Sequence, residues 1–199
     1  MMDNFDKILP LLAEVWNTCT SPISFHVQVL QRRKDGHEIG NNNQIRTIAE
    51  WFIHSEDTLL RLKPAIKSLC ELYGARCYIA INGKSDKDVL WGIAETAMKY
   101  IKNNQITFKG MLSHIHDTCN SHGMKKWIID VDNLSVDKGN LYTAINNCRS
   151  GFDVNTIAEI PTKNGYHIIT HPFDLSQIQL PDEVEVKKNN STLLYWYEK

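Results

Sequence analysis

The sequence predicts a mixed α/β fold of the α+β kind, with an αβ-αβ front half (1–124) packed on a β-α-β-β back half (125–199). Three observations predict it. Apolar residues in the front half recur at helical spacing and alternate with short runs of period two. The apolar run Trp127-Ile128-Ile129 leads into Asp130-Val131-Asp132, as a buried strand does when it emerges at a sheet end. Two β-rich runs then flank an Asn-Gly pair, the strongest short hairpin signal.

Phe5, Ile8, Leu9, Leu12, Val15 and Trp16 have helical spacing over residues 5–18. Residues 24–30 alternate and read as a strand, closed by the charged turn Gln31–Gly36. Gly40–Asn43 is a polar loop. Residues 44–53 are ambiguous, with a second strand as one option. Ser55 precedes a helix through Tyr73 that places Leu59, Leu62, Ile66, Leu69 and Leu72 on one face. Pro64 speaks against its continuity, and Gly74 is its stop.

Residues 77–81 form a strand, and Ser85 followed by Asp88 starts a helix that runs to about Lys102. No pattern is readable over 103–124. Beyond the strand 125–132 come a helix (137–149), strands at 157–160 and 165–170, and short strands at 183–187 and 192–197. The back half thus has the order of an RNA-recognition-like (ferredoxin-like) unit without its last helix.

With 199 residues, 42% hydrophobic and 23% charged, the chain can bury a core as one compact domain, 1–199. A net charge of -1 neither demands nor excludes nucleic acid, because binding uses local patches. The N-terminus lacks the basic and apolar regions of a secretory signal. No apolar run is long enough to span a bilayer, so no membrane partner is expected. Five cysteines, an odd number without a C-x-x-C pair, point to reduced thiols and a cytoplasmic location.

Asp130 and Asp132 stand at i and i+2 on a strand, so their side chains share a face. Two close carboxylates repel unless a cation sits between them, and oxygen-rich sites suit Mg²⁺ or Mn²⁺. Solvated strand-end acids would give the same spacing. Lys163-Asn164-Gly165 precede His167: glycine lets a backbone approach a phosphate, and lysine brings charge. A plain hairpin with a half-buried His is the alternative. Asp174 is either a third carboxylate or a turn cap before Leu175.

Arg32, Arg33 and Lys34 end the first strand as candidate phosphate or nucleic-acid contacts, or as a solvated turn. Arg76 and Lys84 flank the next strand and could line the same cleft. His114, His116, Cys119 and His122 match no common zinc spacing. Tyr195, Trp196 and Tyr197 read as strand packing rather than a base-stacking platform.

The order apolar strand, D-x-D, helix, strand, Thr162-Lys163-Asn164-Gly165-Tyr166-His167, hydrophobic-Asp resembles the archaeo-eukaryotic primase, or primase-polymerase, superfamily. The resemblance covers about residues 125–175. It implies that Asp130, Asp132 and Asp174 hold a divalent metal. It also implies that Gly165 and His167 form the small-x-His motif and that His167 meets the incoming nucleotide's phosphates. Lys163 and Asn164 fall in the matching turn.

The expected function is therefore metal-dependent nucleotidyl transfer, with nucleoside triphosphates and nucleic acid as partners. No zinc module or helicase domain is present in the sequence, so a replication or helicase partner is implied. Two alternatives stay open. One is a non-catalytic nucleotide- or nucleic-acid-binding module. The other is a metal-dependent phosphoesterase or nuclease on the same scaffold.

Overall fold

The computed structural model describes residues 1–40, 43–104 and 124–197. The chain opens with β1 (Met2–Asp3) and α1 (Phe5–Thr18), whose face of Phe5, Ile8, Leu11, Leu12 and Val15 is buried. β2 (Ile23–Arg32) ends in a 3-10 turn (Arg33–Asp35) and pairs antiparallel with β3 (Ile45–Ile53). That pairing makes the ambiguous 44–53 segment a strand. It sits at a sheet edge and is half-exposed on both faces, so it shows no clean alternation.

α2 (Glu56–Tyr73) starts where Ser55 accepts a hydrogen bond from the Thr58 N–H, and it ends on Gly74 at φ 58°. The helix runs through Pro64. A proline there removes one backbone bond, but Leu59, Ile66 and Cys70 anchor the buried face on both sides. Leu72, expected on that face, is exposed.

β4 (Arg76–Ala80), β5 (Lys84–Ser85) and α3 (Asp86–Lys102) follow. Ser85 bounds α3 as expected, yet its side chain makes no capping bond, because Ser85 belongs to a strand paired with Ile23. His114, His116, Cys119 and His122 lie outside the described residues.

The second half holds β6 (Trp127–Val131), α4 (Lys138–Asn147), β7 (Thr156–Pro161), β8 (Tyr166–Thr170), a 3-10 turn (Leu175–Gln177), β9 (Val184–Lys187) and β10 (Ser191–Trp196). The fold is α+β, with two antiparallel sheets. One has the order β1-β10-β4-β2-β3, with β5 on β2; the other is β7-β8-β6-β9. In the second sheet the last strand lies beside the first, and a 3-10 turn stands where a ferredoxin-like unit has its second helix.

β10 does not stay with its module. It pairs with β1 and β4, so Lys188-Asn189-Asn190 is a crossover between the sheets rather than a turn within one. The second sheet is built from strands after residue 125, while the C-terminal strand β10 belongs to the first sheet.

The alternation of β6 and β8 sets the site. Ile128, with Ile160 and Ile169, packs into the core that also holds α1, α2 and the first sheet. Ile129, Val131 and Ile168 face the other way, into a smaller core with Leu141 and Ile145 of α4. By the two-residue period, Asp130 shares the face of Ile128, and His167 that of Ile169. Both point toward the first sheet, one step beyond the apolar contact.

Candidate functional site

Where the apolar contact ends, the sheets leave a cavity of about 310 Å³. Its lining includes Arg32, Lys34, Arg76, Asp130, Asp132, Lys163, Asn164, His167 and Lys187. Leu30, Ile45, Tyr78 and Leu193 supply an apolar flank. Five cationic side chains thus surround two carboxylates in a space of ligand size.

Asp130 is the buried centre of this charge. Its Cα register partners are His167 on β8 and Glu185 on β9. Lys187 Nζ donates to Asp130 Oδ2 and lies 3.3 Å from Glu185 Oε2. His167 Nε2 stands 3.1 Å from Asp130 Oδ1, yet Oδ1 is buried without an aligned hydrogen bond. Burial pushes the carboxyl up, and His167 and Lys187 more than offset this, holding it at about 2. On Lys187 the balance is the reverse: burial lowers the ammonium, and Asp130 and Glu185 raise it above its usual value.

The other nitrogen of His167, Nδ1, lies 2.8 Å from Thr192 Oγ1 on β10. A Thr192 hydroxyl donating to Nδ1 places the imidazole hydrogen on Nε2, toward the carboxylate and the cleft. This contact joins the two sheets, and it exists only because β10 crosses between them. Asp132 follows Asp130 at i+2 and is exposed at the cleft.

The turn before His167 is shaped by close approach. A Cβ on Gly165 would lie 1.8 Å from the Val131 carbonyl oxygen, so only glycine lets β8 lie against the end of β6. Thr162 N–H donates to the Gly165 carbonyl at 2.9 Å. Neither Asn164 nor Gly165 has positive φ, so Asn-Gly acts here through space, not through a left-handed turn. Lys163 reaches over the Trp196 ring at 4.9 Å and stands 3.8 Å from Asp35 Oδ1. Asp35 also accepts from Arg76, whose guanidinium lies over the same ring at 5.6 Å. Arg32 Nη1 donates to the Tyr78 hydroxyl at 3.0 Å.

Three expected residues fall elsewhere. Asp174 caps the second 3-10 turn, accepting from Ser176 N–H at 3.0 Å and from Ser176 Oγ at 2.7 Å. Those bonds lower its pKa, and it does not line the cleft. Lys84 is fully buried in β5 beside Ser24, whereas Arg76 pairs with Leu30 at the opposite end of β2. Arg76 opens β4 and Lys84 lies beyond its far end, so only Arg76 reaches the cleft. Arg33 Nη2 is spent on the Ile39 carbonyl at 2.7 Å.

Sequence reading missed Lys187, Glu185 and Thr192. A period-two strand with Glu185 and Lys187 on one face was a usable signal; which strand it pairs with was not. Among the described residues no cluster of three or more His, Cys, Asp or Glu is placed to hold a metal, and no helix is long and apolar enough to cross a membrane. No family model, no curated protein and no solved structure matches this chain.

Proposed function

We propose that the cleft binds a nucleoside triphosphate with a divalent cation and transfers its nucleotidyl group to a hydroxyl of a nucleic acid. The observation that carries this reading is convergence. Asp130, Asp132, Lys163, Asn164, His167, Arg32, Lys34 and Arg76 come from separate segments and line one cavity.

The donor set fits Mg²⁺ or Mn²⁺. Asp130 offers a buried Oδ1 that has no aligned hydrogen bond and stands 3.1 Å from His167 Nε2, and Asp132, just past the end of β6, lines the same cavity. Such ions are commonly held by one or two carboxylates plus substrate phosphates. A cation bound there supplies charge neutralisation at the phosphates. Around it, Lys163, Arg32 and Arg76 attract and orient the triphosphate. With the Thr192 hydroxyl donating to Nδ1, His167 donates from Nε2 and its ring is held in place. Leu30, Tyr78 and Leu193 offer sugar and base an apolar wall. Catalysis on this reading is mostly positioning and electrostatics.

The Lys187–Asp130 contact favours a second reading, nucleotide binding without turnover, because a cation already sits on the carboxylate. Calorimetric titration of ATP and dATP into metal-free protein, with and without Mn²⁺, separates them. Binding should require Mn²⁺ and weaken about tenfold or more in Asp132→Asn. Binding indifferent to Mn²⁺ and to Asp132→Asn would favour the second reading, and heat from neither nucleotide would sink both. Incorporation of labelled nucleotide into an oligonucleotide then tests transfer itself.

A further inference from the structure

We infer that Lys187 is the resident counter-ion of Asp130, displaced when a divalent cation binds and then free to contact the nucleotide's phosphates. This exchange rests on the nucleotide reading of the cleft. Three observations lead to it. Lys187 Nζ lies between carboxylates on two neighbouring strands, Asp130 on β6 and Glu185 on β9. It therefore stands on the carboxylate that a bound cation would also use, and repels that cation. Its side chain is 26% exposed and itself lines the cavity, so the ammonium can leave the carboxylate without crossing packed core. It is carried by β9, an edge strand of the second sheet, on a long flexible stem.

The physical logic is charge balance. Asp130 is buried, and a buried carboxylate without a partner is costly, so Lys187 supplies the compensating charge. His167 alone leaves Oδ1 without an aligned bond. A divalent cation on Oδ1 and the lysine ammonium on Oδ2 of one carboxylate repel each other, so a bound cation loosens the hold on Lys187. Once displaced, the ammonium remains within the same cavity as Lys163 and Arg76, where a triphosphate is the nearest concentrated negative charge. The lysine thus weakens binding of metal alone and strengthens binding of metal with nucleotide. Such an arrangement keeps the carboxylates from holding a bare ion and couples the two ligands.

The test uses Mn²⁺ alone, followed by loss of the free-ion EPR signal, and then ATP at saturating Mn²⁺ by calorimetry. Lys187→Met should bind Mn²⁺ about tenfold more tightly than the unsubstituted chain and ATP about tenfold more weakly. Lys187→Arg should stay near the unsubstituted chain in both. A merely structural role for Lys187 would lower both affinities together. Lys187→Gln keeps a donor toward Asp130 without charge and serves if Lys187→Met fails to fold. Unchanged or weaker Mn²⁺ binding in folded Lys187→Met or Lys187→Gln overturns the exchange; loss of Mn²⁺ in Asp132→Asn alongside it would leave the nucleotide reading standing. If the unsubstituted chain and the Lys187 variants all fail to bind Mn²⁺, the metal reading falls and the exchange falls with it.

Discussion

The contact between the two sheets has an apolar half and a charged half, built on the same strands and the same face. Ile128, Ile160 and Ile169 close the first half against α1 and the first sheet. One alternation along β6 and β8, Asp130 and His167 occupy equivalent positions, and the sheets part around a cavity. The difference teaches where stability and chemistry are divided. The apolar half gains from excluding water whatever the conditions. The charged half is stable only while its partners keep the right protonation, and it leaves Asp130 Oδ1 without an aligned bond. Groups left in that state are better suited to a ligand than to a core.

The largest way to break this comparison lies in the apolar half. Ile169 is fully buried and is the register partner of Ile128. Ile169→Ala should cost about 4 kcal/mol, from lost transfer free energy and the cavity left between the sheets. Denaturant unfolding measures it. A cost below about 1 kcal/mol would mean that the two sheets do not share one core.

Next in size is the backbone beneath the charged half. Gly165→Ala places a methyl group against the Val131 carbonyl, where backbone rather than a movable side chain stands in the way. β8 must shift away from β6, at a cost of about 3 kcal/mol. The same shift moves His167 from Asp130, so nucleotide binding should fall further than stability alone explains. Unfolding and calorimetry on one variant sharpen the comparison: a stability loss with unchanged binding would show that the turn is scaffold and not site.

Much of this was legible in the sequence because it depends on local pattern. Asp130 at the end of its strand, the strand carrying His167, and the helix begun by Ser55 and stopped by Gly74 all follow from periods and caps, whereas Asp132, expected on the same strand, lies just past its end. What was not legible depends on partners distant in sequence. β10 leaves the second sheet for the first, and no local signal in Ser191–Trp196 names β1 and β4 as its neighbours. Lys187 and Glu185 read as charges on a short strand until pairing puts Glu185 opposite Asp130. Asp174 fits a motif by order but spends its carboxylate on Ser176, as a residue before a turn does. Lys84 and Arg76 are close in sequence, and the strand between them carries them apart.

The smallest effect isolates the charged half by pH. Asp130 in the folded chain titrates at about 2, against an ordinary 3.8, because His167 and Lys187 outweigh its burial. A carboxyl lowered by folding binds fewer protons folded than unfolded. Its contribution is therefore fully present above pH 3.8 or so and is lost as pH falls toward the folded value. The shift corresponds to about 2 kcal/mol. Other lowered carboxyls, Asp3 and Glu159 among them, titrate in the same range, so the informative quantity is a difference. Asp130→Asn removes this one group and leaves Lys187 with Glu185 as its remaining carboxylate. The stability gap between the chain with Asp130 and Asp130→Asn should narrow by about 2 kcal/mol between pH 5 and pH 2. The corresponding gap for Ile169→Ala should stay constant over that range, since no ionisation is involved. A constant gap for Asp130→Asn as well would mean that Asp130 is not held by charge in the folded state, and the two halves of the contact would then differ in shape alone.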